Sequence, residues 1–245
     1  MALLLTEQSM RSDIRSRKKQ SLITPDSSIP PLENGDRLSR AEFERRYRAH
    51  PEIKKAELIE GVVYVASPVR VRKHGAPHSK ITIWLGIYLE STPGVEIADN
   101  STLRLDLDNE PQPDVSVWIE GGKAFVDDDD YLQGAPELLV EVAGSSATID
   151  LNSKLHAYRR NGVGEYLVLL THEKEMRWFS FEQGETQPIE ADADGVLCSR
   201  MFPGLHLHPA YFWQGNLPGL LDVLRKGIAT PEHAMFVERL QSVMK

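Results

Sequence analysis

Two acidic side chains stand where an acid is expensive. Glu141 lies within Glu137-Leu138-Leu139-Val140-Glu141-Val142-Ala143, a run apolar enough to read as a central strand. With a two-residue period, Leu138, Val140 and Val142 share one face and Glu141 takes the other. A carboxylate in such a setting is costly unless it is paired or binds a metal. Asp114 has a similar placement in Pro113-Asp114-Val115-Ser116-Val117-Trp118-Ile119, where Val115, Val117 and Ile119 point one way and Asp114 the other. If the two strands are neighbours, both acids converge on one hard cation. Mg²⁺ typically takes one or two protein carboxylates and leaves the rest to water and phosphate. Spacing alone leaves other readings open: Asp114 follows a proline and can cap a turn, and Glu141 can pair with a buried Arg or Lys. Lys154 follows Asp150 by four residues, the spacing of a helix-surface ion pair worth roughly a few tenths of a kcal/mol. Yet it borders the apolar row Leu151, Leu155 and Tyr158, which would tuck it toward a sheet.

The elements that must position these residues are a mixture of helices and strands. Ser39-Arg40-Ala41-Glu42 has capping-box spacing and starts a helix with Phe43 and Tyr47 on one face. Ala56 to Ile59 and Val62 to Val65 flank Glu60-Gly61 as the arms of a hairpin. A second helix is expected from about His78 to Glu90, with Ile81, Trp84, Leu85 and Tyr88 as its stripe. Ser101 to Asp108 alternates like a strand. A third helix spans about Asp150 to Asn161, with Gly162 at its C-terminal cap. Glu165 to Leu170 reads as a strand buried on both faces, and Met176 to Phe181 pairs back across His172-Glu173-Lys174. Two helices close the chain, at about Pro218 to Lys226 and Pro231 to Met244. Phe236, Leu240 and Val243 or Met244 form a stripe that must bury somewhere, which predicts a homodimer through these helices or packing on the parent domain. The expected organisation is a disordered arm over 1–36 with a basic stretch Arg15 to Lys19, a domain over 37–213, and a helical extension over 214–245.

Bulk properties exclude little. A chain of 245 residues with 41% hydrophobic and 26% charged residues suits a soluble globular protein. A single cysteine, Cys198, forbids an intramolecular disulfide and fits a reducing, cytoplasmic setting. Membrane-length apolar runs are absent. The short stretch Ala2 to Leu5 precedes basic residues, the reverse of a signal peptide. A net charge of −8 argues against a protein that coats nucleic acid. It leaves room for a nuclease that docks through a local patch.

Weaker signals surround the two acids. Glu57 sits within a strand and could supply a third ligand, whereas Glu60 occupies a turn. Arg70, Arg72, Lys73, His74 and Lys80 form the densest basic patch, able to grip a DNA backbone or to stand as a plain exposed loop. His78 approaches a phosphate or only opens its helix. Asp127 to Asp130 lacks calcium-loop spacing and reads as a solvated loop. Ser145-Ser146 lacks a hydrolase-elbow frame. His206 and His208 share a strand face without a third ligand in view.

Several motifs in order carry a resemblance. They are Glu57-Leu58-Ile59-Glu60-Gly61, Ser67-Pro68 with His78, Pro113-Asp114-Val115, Pro136-Glu137-Leu138-Leu139-Val140-Glu141-Val142, a Ser-rich turn, Asp150, Lys154 and Tyr158, Gly162-Val163-Gly164-Glu165-Tyr166, and Phe202-Pro203-Gly204-Leu205. Together they resemble the Uma2 (DUF820) family of restriction-endonuclease-like proteins in the PD-(D/E)XK superfamily, from about Leu38 to Trp213. The resemblance implies an α/β restriction-endonuclease-like core, a central mixed sheet flanked by helices. It implies Asp114 and Glu141 as metal ligands, Mg²⁺ (or Mn²⁺) as cofactor and DNA as substrate. The superfamily lysine belongs two residues after the second acid, where this chain has Ala143; in the Uma2 pattern it moves to the next helix, here Lys154. The metal would polarise the scissile phosphate and acidify a bound water. Lys154 would orient that water or stabilise charge on the phosphate. Relatives often carry Asp-Pro where this chain has Leu170-Thr171. The alternative function is a non-cutting relative that binds nucleic acid or protein.

Overall fold

The computed structural model describes residues 28–66 and 70–243. The basic stretch Arg15 to Lys19, Ser67-Pro68 and Met244 lie outside the described residues. Residues 28–36, expected to belong to the disordered arm, pack on the hairpin. Leu32 is buried against Phe43, Leu58 and Val63, and Gly35 and Asp36 bond to Val63 of the hairpin. An apolar side chain inside a polar leader is enough to tie its end down.

Helix α1 (Arg40–Ala49) begins after Ser39, but the capping box is not closed. Glu42 instead accepts from Arg45 and Arg46, each at 2.7 Å, while Phe43 is fully buried. Strands β1 (Ala56–Ile59) and β2 (Val62–Val65) form the expected hairpin. Glu60 and Gly61 both take positive φ, 51° and 72°, as a two-residue hairpin turn requires. A π-helical turn (Val71–Gly75) leads into α2 (Ala76–Glu90), whose buried face is the predicted stripe of Ile81, Trp84, Leu85 and Tyr88. Strand β3 (Val95–Asp99) follows.

The alternating run at Ser101 to Asp108 yields only the short β4 (Leu103–Arg104). The Asp106 carboxylate accepts from the Asp108 backbone N–H at 2.8 Å and turns the chain, so Leu107 is left exposed. Next come β5 (Val115–Ile119), β6 (Phe125–Val126), β7 (Leu132–Gln133) and β8 (Leu138–Ala143). The expected third helix is a composite of α3 (Ala147–Ile149), a π-helical turn (Asp150–Lys154) and α4 (Leu155–Arg160). It joins β8 to the fully buried β9 (Glu165–Leu170), and β10 (Glu175–Ser180) pairs back as expected. Short strands β11 (Gln187–Pro188), β12 (Leu197–Cys198) and β13 (His206–Leu207) precede α5 (Pro209–Gln214), α6 (Leu217–Ile228) and α7 (Pro231–Val243).

The central sheet has six strands in the order β11-β10-β9-β8-β5-β3. Only β8 and β9 run parallel, and a parallel pair needs a crossover; here that crossover is the α3–α4 segment. Apolar residues pack on both faces. One face joins Val115, Val117, Leu138, Val140 and Val142 to α2, α6 and α7; the other joins Trp118, Leu139 and Ala143 to Tyr158 and Tyr166. The C-terminal helices are part of the first core, since Phe236 and Leu240 are buried within the chain itself. Phe236 and Leu240, from the stripe that raised the expectation of a homodimer or of packing on the parent domain, are thereby covered by the chain itself. Gly204 and Gly227 set the approach of α6: a Cβ on either would collide with the other's carbonyl.

Arg104 anchors a second layer of charge. It bonds Asp127 at 2.7 Å and Asp129 at 3.1 Å and lies over the Tyr131 ring, so the acidic run clamps a buried cation as well as facing solvent. Glu110, also buried, faces it at 4.0 Å.

Two outcomes test this packing. Phe236→Ala is expected to cost about 3–4 kcal/mol in chemical denaturation, and truncation after Gly227 to lower the melting temperature sharply by opening the first core. Wild-type stability in the truncated chain would contradict the packing. Burial and the neighbouring Glu44 push the Glu110 carboxyl from its ordinary 4.5 up to about 8. A raised folded-state value means that this group's stabilising contribution is full below about pH 4.5 and is lost by about pH 8. Glu110→Gln should therefore gain stability relative to wild type as pH rises through that window, read from paired thermal melts. A difference independent of pH would contradict it.

Candidate active site

Strands β5 and β8 are antiparallel neighbours, with Val115 opposite Val140. One further step in that register sets Asp114 opposite Glu141, both turned from the core that holds Val115 and Val140. Glu57 reaches the same place because the hairpin lies along the chain just before Asp114: Leu58 and Glu110 exchange backbone bonds, and the Gln112 N–H donates to Glu57 Oε1 at 2.7 Å. The crossover brings in the fourth group. Lys154 Nζ lies 2.8 Å from Glu141 Oε1, 2.9 Å from Glu57 Oε1 and 3.6 Å from Asp150 Oδ1. The Tyr158 hydroxyl donates to the same Glu141 oxygen at 3.1 Å. Asp150, Lys154 and Tyr158 thus form one row, four residues apart, on the face turned to the sheet.

Asp114 is held from the other side. His74 Nε2 is 3.0 Å from its Oδ1, the Val142 N–H donates to its Oδ2 at 2.7 Å, and Lys55 Nζ is 3.9 Å away. His78 Nε2 bonds the Asp114 carbonyl at 3.1 Å and the Asp99 carboxylate at 2.7 Å. His78 is therefore engaged in fixing the strand end. The two π-helical turns each carry site residues, His74 in one and Asp150 with Lys154 in the other; such turns often mark functional positions.

Three acids, Glu57, Glu141 and Asp150, lie against one enclosed ammonium, Asp114 faces Glu141 from the next strand, and of the four only Glu57 is not fully buried. Burial pushes the Glu141 carboxyl well above the usual range; Lys154 opposes this, and Asp150, Asp114 and Glu57 reinforce it. Burial raises Asp150 in the same way. Burial alone would pull Lys154 down, but Glu141, Glu57 and Asp150 hold it well above an ordinary lysine, so it stays an ammonium. Asp114 goes the other way: burial would raise it, but the His74 hydrogen bond and charge and then Lys55 keep it below the usual value. Burial and the surrounding acids keep Tyr158 a neutral donor.

Of the residues singled out in the sequence, Asp114, Glu141, Lys154 and Glu57 come together, while Arg70, Arg72 and Lys73 stand exposed on the turn that delivers His74. His206 and His208 lie elsewhere, the latter stacked on Tyr211. Among the described residues no three His, Cys, Asp or Glu side chains are arranged to enclose a metal ion. In particular, Asp114, Glu141 and Glu57 do not close on one point, because Lys154 lies against two of them. His74, Asp150 and Tyr158 join the site although spacing assigned them no role there. The row at positions 150, 154 and 158 was the available signal.

A family model described as "Putative restriction endonuclease", Uma2, matches residues 40–210. The chain belongs to the Uma2 family. A crystal structure of a "putative nuclease belonging to DUF820" from Anabaena variabilis has a similar fold, with a TM-score of 0.51 at 18% identity, over 65% of this chain and 89% of that one. A search of curated proteins finds no match. The Uma2 motifs that lie away from the acids have structural roles in this chain. Glu165 accepts from the Trp178 indole, the Ser199 hydroxyl and the backbone N–H groups of Arg200 and Met201, at 2.6 to 3.0 Å, and ties the 199–202 loop to the sheet. Phe202-Pro203-Gly204-Leu205 carries the close approach to α6. At the departure Leu170-Thr171, the Thr171 hydroxyl and N–H both donate to the Ala143 carbonyl, closing the ends of β8 and β9. Lys154 in this Uma2 chain is 4% exposed. Lys154→Ala is therefore expected to destabilise the fold by about 3 kcal/mol, since it strands buried acids. A loss under about 1 kcal/mol in urea unfolding would mean the pairing is no stronger than a surface ion pair.

Proposed function

We propose that the chain is a divalent-metal-dependent endonuclease that hydrolyses phosphodiester bonds in DNA. The reading is carried by one juxtaposition: two acids facing each other across adjacent strands, Asp114 and Glu141, with the Lys154 ammonium 2.8 Å from Glu141. The residues fit a hard cation. All the candidate donors are carboxylate oxygens, which suit Mg²⁺ and Mn²⁺. Glu57, Glu141 and Asp150 share a single enclosed ammonium, so acids are in surplus there. Asp114 and Glu141 would hold the ion, with Glu57 as a third ligand, once Lys154 gives up its contacts with Glu141 and Glu57. A cation so held supplies a Lewis acid for the phosphate and a bound water of lowered pKa.

The protein's own groups do the rest. His74 and the Val142 N–H aim the Asp114 carboxylate, and Tyr158 aims Glu141. Lys154 presents N–H donors to the attacking water or to charge growing on the phosphate. The exposed Arg70, Arg72 and Lys73 dock the DNA backbone beside His74, supplying the local positive field that a chain of net charge −8 lacks as a whole. The alternative, a relative that binds nucleic acid or protein without cutting, draws support from the closed Lys154 contacts.

Calorimetric titration with Mg²⁺ or Mn²⁺ is expected to show binding in the wild type and loss of it in Asp114→Ala and Glu141→Ala. Unchanged binding in both variants would sink the metal assignment. On a DNA that the wild type cuts, Lys154→Met and Lys154→Arg are expected to abolish cleavage while metal binding persists, because a broad guanidinium cannot replace a compact ammonium. Cleavage retained by Lys154→Met would remove Lys154 from the mechanism. Metal binding without any cleavage by the wild type across mixed nucleic acids would favour the non-cutting relative.

A further inference from the structure

Asp150 is the one acid of the cluster whose position the reading above does not use. It is 1% exposed. Its Oδ2 accepts from the Ser146 hydroxyl at 2.6 Å, and this anchor leaves Oδ1 on the Lys154 side. Oδ1 has no hydrogen-bond partner among the described residues. A buried carboxylate oxygen left unmatched in this way is costly and calls for a partner in some state of the protein. The nearest donor is Lys154 Nζ at 3.6 Å, already bonded to Glu141 at 2.8 Å and Glu57 at 2.9 Å.

A divalent ion on Glu141 and an ammonium on the same carboxylate repel each other. An ion on Glu141 weakens the ammonium's hold there, and an ammonium enclosed by the protein that loses a carboxylate partner needs another acid beside it. Asp150 Oδ1 is within reach: the gap need only close from 3.6 Å to the 2.8 Å that Lys154 already makes with Glu141. Asp150 stands four residues before Lys154, the spacing at which an acid and a lysine meet on one helical face.

We propose that Asp150 is the positioning residue that receives the Lys154 ammonium when a divalent cation takes Glu141. The inference rests on the metal reading above. Asp150 then acts through Lys154 and touches neither ion nor substrate. It makes room for the cation and keeps the ammonium beside the site, where it remains available to phosphate.

The test is a double-mutant cycle on the full chain, titrated calorimetrically with Mg²⁺ and with Mn²⁺. Asp150→Asn is expected to weaken metal binding about tenfold, the usual scale for losing a residue that supports the ligands of a metal site. In the Lys154→Met background the same substitution should have almost no effect, because there is no ammonium to receive. Weakening of equal size in both backgrounds would make Asp150 a direct ligand or a plain charge effect and overturn the proposal. So would unchanged affinity with only a lowered melting temperature, the mark of a structural role. If Asp150→Asn does not fold, Ser146→Ala reads the same coupling by freeing the carboxylate: a several-fold loss confined to the Lys154 background supports the proposal, and affinity equal to wild type overturns it. A wild type that binds neither metal would instead overturn the metal reading itself, and this inference with it.

Discussion

One ammonium among buried acids sets the terms for the centre of this molecule. Glu141 belongs to a strand covered on both faces, and burial with the charges of Asp150, Asp114 and Glu57 favours its neutral form against the pull of Lys154. Lys154 in turn would be deprotonated by burial if Glu141, Glu57 and Asp150 were not beside it. Neither charge is tolerable alone, so the elements that carry them must dock together. Such a pairing is poor evidence for stability, because the desolvation of both partners offsets much of the attraction. Apolar residues of similar volume would hold the sheet and the crossover together at least as well. Retention of charge at this cost fits a site more readily than a scaffold.

The topology explains how distant residues meet there. A parallel β8–β9 pair obliges the chain to cross over, and the crossover necessarily lies on a face of the sheet. Because Glu141 is on β8, a helix leaving β8 and returning to β9 passes over it, and the residues that face inward, Asp150, Lys154 and Tyr158, arrive at the acid without any long-range design. The hairpin contributes Glu57 for a different reason: backbone bonds between Leu58 and Glu110 lay β1 alongside the segment that leads to Asp114. Three separate connections thus deliver the acids and Lys154: the β5–β8 pairing, the β8–β9 crossover and the Leu58–Glu110 bridge.

The two strand acids were legible because a period of two is unambiguous when the surrounding residues are apolar. Glu141 among Leu138, Leu139, Val140 and Val142 permits no other face. Lys154 was legible in part from the apolar row it borders, but its role came through the resemblance, since a lysine four residues after an aspartate has the same signature on any exposed helix. His74 was read as one more basic residue in a run with Arg70, Arg72 and Lys73; what separates it is the wide turn that points it at Asp114, and wide turns have no sequence period. The capping box at Ser39 marked the helix start correctly and its hydrogen bonds wrongly, because Arg45 and Arg46 compete for Glu42 with full charges. The stripe of Phe236 and Leu240 was visible as something to be buried, but periodicity does not say against what. Leu32 and the Arg104–Asp127 clamp were missed for the opposite reason: single long-range contacts leave no pattern.

The arrangement of charge around the site has a direction. Inside, carboxylates outnumber ammonium groups and burial strengthens every interaction among them. Outside, the turn at Arg70, Arg72 and Lys73 presents positive charge to solvent next to His74, which itself touches Asp114. A polyanion approaching a chain of net charge −8 is repelled by most of its surface and attracted at that turn. The same turn joins the exposed basic side chains to the buried acids through a single residue, His74, 3.0 Å from Asp114. The opposite side of the site is closed to solvent, since Glu141 and Lys154 are enclosed by the sheet and the crossover. Glu141 is thus held from the interior, by Lys154 and Tyr158, whereas Asp114 is held between the Val142 N–H of β8 and a histidine carried by a surface turn.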